Sequence, residues 1–148
     1  MKNCTIAITK INMEVLDNYL KVKRSAIPGT GKGLFTTVDI PKGKIITEYK
    51  GKITTWNNVA HDEGKNLYIY YVSRNHVIDA KGNKDAFAHF ANDANGPTRV
   101  KGMNNNSEYV IKNKRVFIVA TKNIPAKAEV LVGYGKEYWD TLKANELL

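Results

Sequence analysis

Short apolar runs, each cut off by glycine, proline or asparagine, constrain this chain more than any other feature. Residues 19–25, 34–37, 44–49, 68–73, 77–80, 108–112, 115–120 and 130–132 read as strands, because β-branched and aromatic residues cluster there between turn signals. Ile27-Pro-Gly-Thr-Gly, Asn95-Gly-Pro and Asn104-Asn-Asn supply the turn chemistry. The Asn113-Lys114 step between two β-branched runs predicts a hairpin. Helices are confined to the ends. Asn12 is positioned to cap a short helix through Leu20, with Met13, Leu16 and Leu20 on one face. A second helix is expected from about Lys136 to Leu147. The fold class that follows is mostly β with short helices, in a single domain.

A faint internal echo runs through the pattern. Thr37-Val-Asp-Ile-Pro41 precedes a strand leading to Tyr49, and Thr121-Lys-Asn-Ile-Pro125 precedes one leading to Tyr134. Proline lacks a ladder donor, so each Ile-Pro ends a strand and opens a turn. Two such units could deliver both phenols to one site, or be two unrelated proline turns.

Bulk properties exclude several classes. The single cysteine, Cys4, rules out an internal disulfide framework and any cysteine-rich zinc cluster, and suits a reducing, intracellular compartment. No run approaches the ~20 apolar residues of a membrane span, and the first residues lack the apolar core of a secretory signal. The three histidines have no ligand spacing, so no metal site is expected. The net charge of +9 is spread along the chain and favours non-specific contact with nucleic acid or other polyanions, unless it is simply a lysine-rich surface. A basic enzyme gains from this charge only when its basic target is itself held on a polyanion.

Four segments carry candidate chemistry. In Gly31-Lys-Gly33, glycine allows close backbone approach to a ligand, though a plain β-turn explains the same residues. It is neither a P-loop nor a dinucleotide fingerprint. Asn92 and Asp93 close an apolar run. An asparagine amide can read a polar ligand, and the alternative is an Asx-turn. Among the eight tyrosines, Tyr134 stands apart because Gly133 and Gly135 flank it. Most of the others suit a core with satisfied hydroxyls.

Taken in order, these segments resemble the SET-domain protein lysine methyltransferases of the compact, stand-alone type without zinc-binding flanks. Arg24-Ser-Ala-Ile-Pro-Gly-Thr-Gly-Lys-Gly-Leu-Phe35 resembles the opening strand and G-x-G turn. Ile40-Pro-Lys-Gly-Lys-Ile-Ile-Thr-Glu-Tyr-Lys-Gly51 resembles I-x-x-G…I-x-E-Y-x-G. Val77-Ile-Asp-Ala80 precedes His89-Phe-Ala-Asn-Asp-Ala94, which stands where the family has R-F-x-N-H-S. Ile124-Pro-Ala-Lys-Ala-Glu-Val-Leu-Val-Gly-Tyr134 resembles I-x-x-G-E-E-L-x-x-D-Y. There are departures: His89 replaces Arg, Asp93 replaces His, Ala94 replaces Ser, Lys127-Ala128 replaces Gly-Glu, and Gly133 replaces Asp.

The resemblance implies several small curved sheets around a C-terminal pseudoknot. An N-terminal extension would occupy 1–18, the SET domain 19–140, and the end of the C-terminal helix 141–148. It implies methyl transfer from S-adenosylmethionine to a protein lysine, with a histone tail as the foremost substrate and the nucleus as the compartment in that case. Tyr134, Tyr49 and Tyr70 take the catalytic positions. Lys32, Gly33, Leu34, Asn92, Asp93, Tyr134 and Trp139 take the cofactor positions, and Val132 and Tyr71 flank the substrate channel. The small Val132 implies room for di- or trimethylation. Asp93 in place of the family His should still accept backbone hydrogen bonds at the C-terminal crossing. Some compact SET proteins dimerise, so a homodimer is among the assemblies implied. Two other readings remain at this stage: a SET-like module that binds peptide without transferring methyl, and a small basic nucleic-acid-binding β domain.

Overall fold

The structure, a computed structural model, describes residues 14–62 and 66–144. In chain order its strands are β1 (Leu20–Arg24), β2 (Lys32–Thr36), β3 (Ile45–Glu48), β4 (Lys52–Thr54) and β5 (Ile69–Ser73). These are followed by β6 (His76–Asp79), β7 (Ser107–Lys112), β8 (Arg115–Ala120) and β9 (Glu129–Val130). Two α-helices are described, α1 (Trp56–Val59) and α2 (Lys136–Ala144). The strands form three small antiparallel sheets with orders β1-β2-β9, β3-β8-β7 and β4-β6-β5.

Sequence explains why β8 is central. Val116, Phe117, Ile118 and Ala120 are all buried, so this strand is covered on both faces. Its edge partner β7 buries Ser107 and half-buries Tyr109 but exposes Glu108 and Val110, the alternation of a strand with one wet face. The turn between them holds Asn113 at φ 52° and Lys114 at φ 64°, the two left-handed residues of a type I′ hairpin. Ile40 and Ile124, the two echoed Ile-Pro positions, pair with each other through reciprocal backbone bonds of 2.8 Å. The repeated punctuation thus ties the two halves of the chain together.

The segment 129–134 runs between two earlier stretches. On one side the Val132 amide donates to the Asn92 carbonyl (2.9 Å). On the other, the Asn106 side chain bonds both the Glu129 carbonyl and the Leu131 amide (2.9 Å each), and the Ser107 hydroxyl donates to the Leu131 carbonyl. Side-chain amides here take the place of a regular ladder, which lets three segments meet without a continuous sheet.

The structure departs from expectation at the ends. Asn12 and Met13 lie outside the described residues, and the expected N-terminal helix shrinks to a single 3₁₀ turn at Asp17–Tyr19. Leu20 opens a strand, as the run 19–25 predicts. Tertiary bonds take the local groups: the Leu16 amide donates to the Ile46 carbonyl, and the Thr47 hydroxyl to Asp17. The 3₁₀ turn Ala88–Phe90 gives way to extended chain at Ala91. Strand β4 and helix α1 have no expected counterpart.

Lys127 has φ 73° where the resembling pattern has glycine. A side chain in this region costs about 1–2 kcal/mol, and glycine's greater unfolded freedom returns part of that. Lys127→Gly is therefore expected to raise stability by about 0.5–1 kcal/mol, read from urea unfolding.

Candidate active site

Five tyrosines converge from different elements. Tyr49 follows β3, Tyr70 lies on β5, Tyr109 on β7, Tyr134 at the end of the crossing segment and Tyr138 on α2. They line one cavity of about 340 Å³. Tyr70 and Tyr109 ring centroids are 5.0 Å apart, Tyr49 and Tyr70 5.6 Å, and Tyr49 and Tyr109 6.3 Å, all tilted or edge-on. Burial pushes the Tyr49, Tyr109 and Tyr134 phenols well above their ordinary value, reinforced by neighbouring phenols and, for Tyr134, by Asp93. Every one of these hydroxyls keeps its proton at neutral pH. Tyr134 donates its own to the Ala91 carbonyl. Its oxygen is left as an acceptor.

A second cavity, of about 640 Å³, lies against the glycine turn. Residues 29–32 form one wall, Phe90 and Asn92 another, and Trp139 and Leu142 of α2 a third. Leu67, His89, Tyr134 and Tyr138 line both cavities, so the two spaces share a wall there. Gly31 has φ 71° and open space around the position of a Cβ, which gives a ligand access to the backbone. Gly33 is the opposite case: a Cβ there would sit 2.2 Å from Glu129 Oε1. Glu129 is held by the Ser25 hydroxyl (2.6 Å) and the Ala26 amide (3.1 Å). Asn92 Nδ2 donates to the Lys32 carbonyl (3.0 Å) and reaches Glu129 Oε1 at 3.4 Å. The glycine turn and Asn92 are thereby fixed to each other.

Asp93 is 5% exposed and fully engaged. Its Oδ2 accepts from the Tyr134 amide and from Trp139 Nε1, both at 2.9 Å. Its Oδ1 accepts from the Asn95 amide and from Asn105 Nδ2, both at 2.8 Å. Burial alone would raise this carboxyl, but the four donated bonds outweigh it and hold the group below the usual carboxylate range. Asp93 thus fixes the backbone of Tyr134 and the indole of Trp139, which stacks on the Tyr134 ring at 5.6 Å.

The remaining expected positions divide. Tyr71 is exposed on the rim of the phenol cavity, edge-on to Trp56 at 5.6 Å. Leu34 and Val132 are fully buried in the hydrophobic core and stand on the wall of neither cavity. Tyr109, Glu129, Asn105 and His89 also shape the site, though sequence gave them no role in it. Period-two alternation around Ser107 marks Tyr109 as inward, but only the sheet order shows which cavity it reaches. Among the described residues, no three His, Cys, Asp or Glu side chains converge as a metal site.

Comparison with known families matches residues 31–135, more than half of the chain, to the SET domain. The chain belongs to the SET-domain family. This SET domain is similar to N-lysine methyltransferase KMT5A-A of Danio rerio, at 25% identity over 82% of the chain, and to KMT5A of Xenopus tropicalis, at 24% over 86%. It spans only 37% and 40% of those two relatives. Among solved structures, the methyltransferase domain of human PR domain-containing protein 2 matches with TM-score 0.59 and 22% identity, covering 86% of this chain and 83% of that one. A ctPRC2 structure in an autoinhibited conformation bound to S-adenosylmethionine matches with TM-score 0.61 and 21% identity, over 86% of this SET domain and 16% of that chain. These likenesses confirm the SET fold: small β-sheets with few short helices.

Proposed function

We propose that this SET domain transfers a methyl group from S-adenosylmethionine to the ε-amine of a lysine in a protein. The observation that carries the reading is that Tyr134 stands in the wall of both cavities. Two reactants can then enter from opposite sides and align at one phenol, which is the positioning an in-line displacement needs. The names of the two lysine methyltransferase relatives point the same way.

The glycine-turn cavity suits S-adenosylmethionine. Its volume lies within the range of small-molecule sites. Backbone at Gly31 and Lys32 can meet polar groups, the Asn92 side-chain oxygen can accept from an ammonium, and Phe90 and Trp139 offer faces for a base. Bound there, S-adenosylmethionine would supply the electrophilic methyl. Asn92→Ala is expected to weaken binding of S-adenosylhomocysteine about tenfold in calorimetry, because it removes a positioned amide.

The phenol cavity receives the lysine. Free lysine has a pKa of about 10.4, and desolvation among protonated phenols favours its neutral form. No buried base is needed for that step. Tyr49 and Tyr70 orient the amine, and the Tyr134 oxygen, its proton already directed to Ala91, accepts from the reacting group. A histone tail is the substrate class we favour, with the nucleus as compartment, and the +9 charge suits a target held on nucleic acid. Val132 stands on neither cavity wall, so its small size does not support methylation beyond the first group, and mass spectra of the product read the methyl count directly. The test is incubation with tritiated S-adenosylmethionine and histones, nucleosomes or cell lysate. Label recovered as methyl-lysine after hydrolysis supports the proposal. Tight cofactor binding with no labelled protein would reduce the domain to a binding module.

A further inference from the structure

A third cavity, of about 280 Å³, opens beside the phenol channel between α1, β5 and α2. Trp56, Tyr71 and Tyr138 contribute its aromatic walls, Leu142 an apolar one, and Glu137 a carboxylate. The Trp56 and Tyr71 rings stand at 85° with centroids 5.6 Å apart, so they form a corner. The Trp56 amide is tied to the Arg74 carbonyl (2.9 Å), which anchors that corner to the end of the β5–β6 hairpin. Tyr71, Glu137 and Tyr138 line this cavity and the phenol cavity alike. A peptide whose lysine enters the channel then has this pocket beside it.

The chemistry of the walls selects a cation. Two ring faces at a right angle attract positive charge through their quadrupoles. Glu137 makes no ion pair among the described residues, whereas Asp140 on the same helix is paired with Lys136 at 2.6 Å. An apolar occupant would desolvate Glu137 with nothing in return. Arginine fits better than lysine or a methylated lysine: a planar guanidinium can stack on a ring while its fork engages a carboxylate, and it tolerates a site open to water. The chain's net charge of +9 disfavours basic peptides overall, so selection for one must come from such a local acceptor.

We infer that this aromatic and acidic pocket reads an arginine close to the target lysine in the substrate, and so sets sequence preference. The inference rests on the proposed lysine methylation and deepens it.

The probes are alanine-based peptides with one central lysine and a single arginine at successive flanking positions, each paired with a twin carrying neutral citrulline. Two quantities are measured: kcat/KM for methylation, and calorimetric affinity in the presence of S-adenosylhomocysteine. At one or two positions the arginine peptide should exceed its twin about tenfold in both, the effect of a charge-assisted bond plus ring stacking. Glu137→Gln and Trp56→Leu should each bring that ratio close to one. Equal behaviour of the twins at every position overturns the inference, as does a preference that survives both substitutions. An arginine preference in binding that depends on both residues, with no peptide methylated, would sink the transfer reading and leave the pocket standing. Methylation without preference would do the reverse.

Discussion

Tyr134→Phe is expected to lower kcat for methyl transfer by about 10²–10³-fold, the usual cost of removing one positioned group at a reacting centre. Affinity for S-adenosylhomocysteine should hardly change, because the ring remains. Its stack on Trp139 and its backbone bond to Asp93 do not involve the hydroxyl. Stability should fall by only about 1 kcal/mol for the lost bond to the Ala91 carbonyl. Burial holds this phenol's pKa well above its ordinary value, which excludes a phenolate base at neutral pH. The loss is therefore one of orientation, and single-turnover kinetics should place it in the chemical step. A variant with wild-type single-turnover rate would remove Tyr134 from the reaction.

Asp93→Ala should be the most damaging substitution to the fold, costing at least about 3 kcal/mol in urea unfolding. Four donors converge on this carboxylate, and alanine leaves all of them in a buried pocket without an acceptor. Asp93→Asn keeps one acceptor but turns an NH₂ toward two donors, and should cost about 2 kcal/mol. Restoring the family residue with Asp93→His should not rescue the domain, since imidazole can accept only one of the four bonds. The pH dependence has a definite sign. The folded-state pKa is depressed, so the Asp93 contribution is complete above the ordinary carboxylate value of about 3.9. It disappears as pH falls through the lower folded-state value. The melting temperature of the wild type should drop over that acidic range, and the Asp93→Ala protein should show a flatter acid limb. Parallel acid limbs would mean that Asp93 does not carry the crossing.

What the sequence made legible follows from which interactions are local. Runs such as residues 115–120 declare themselves because burial on both faces leaves almost no polar residue in them, and the Asn113-Lys114 turn needs only its own backbone. The order of the four motifs placed Tyr49, Tyr134 and Asn92 around adjoining cavities because these positions follow from the resemblance. Features that depend on tertiary partners stayed hidden. Strand β4 is short and exposes Ile53, and it exists through pairing with β6. Leu20 sits where the expected helix and the expected strand 19–25 overlap, and the ladder to β2 decides for the strand. Asp93 in isolation looks like an Asx-turn residue or a ligand contact. Two of its donors, Tyr134 and Trp139, arrive from more than forty positions away. Glu129 gives no sign in the sequence that it anchors a turn near residue 25.

The central claim is that a methyl donor and a lysine side chain meet at Tyr134 from separate cavities. The most direct measurement is calorimetric binding of an adenosyl-containing bisubstrate analogue carrying a lysine side-chain arm, compared with the same compound lacking the arm. The account predicts one-to-one binding, a gain of at least about tenfold from the arm, and loss of that gain in Tyr49→Trp, which fills the phenol cavity. Equal affinity of the two compounds would contradict it, because the glycine-turn cavity would then not open onto the phenols.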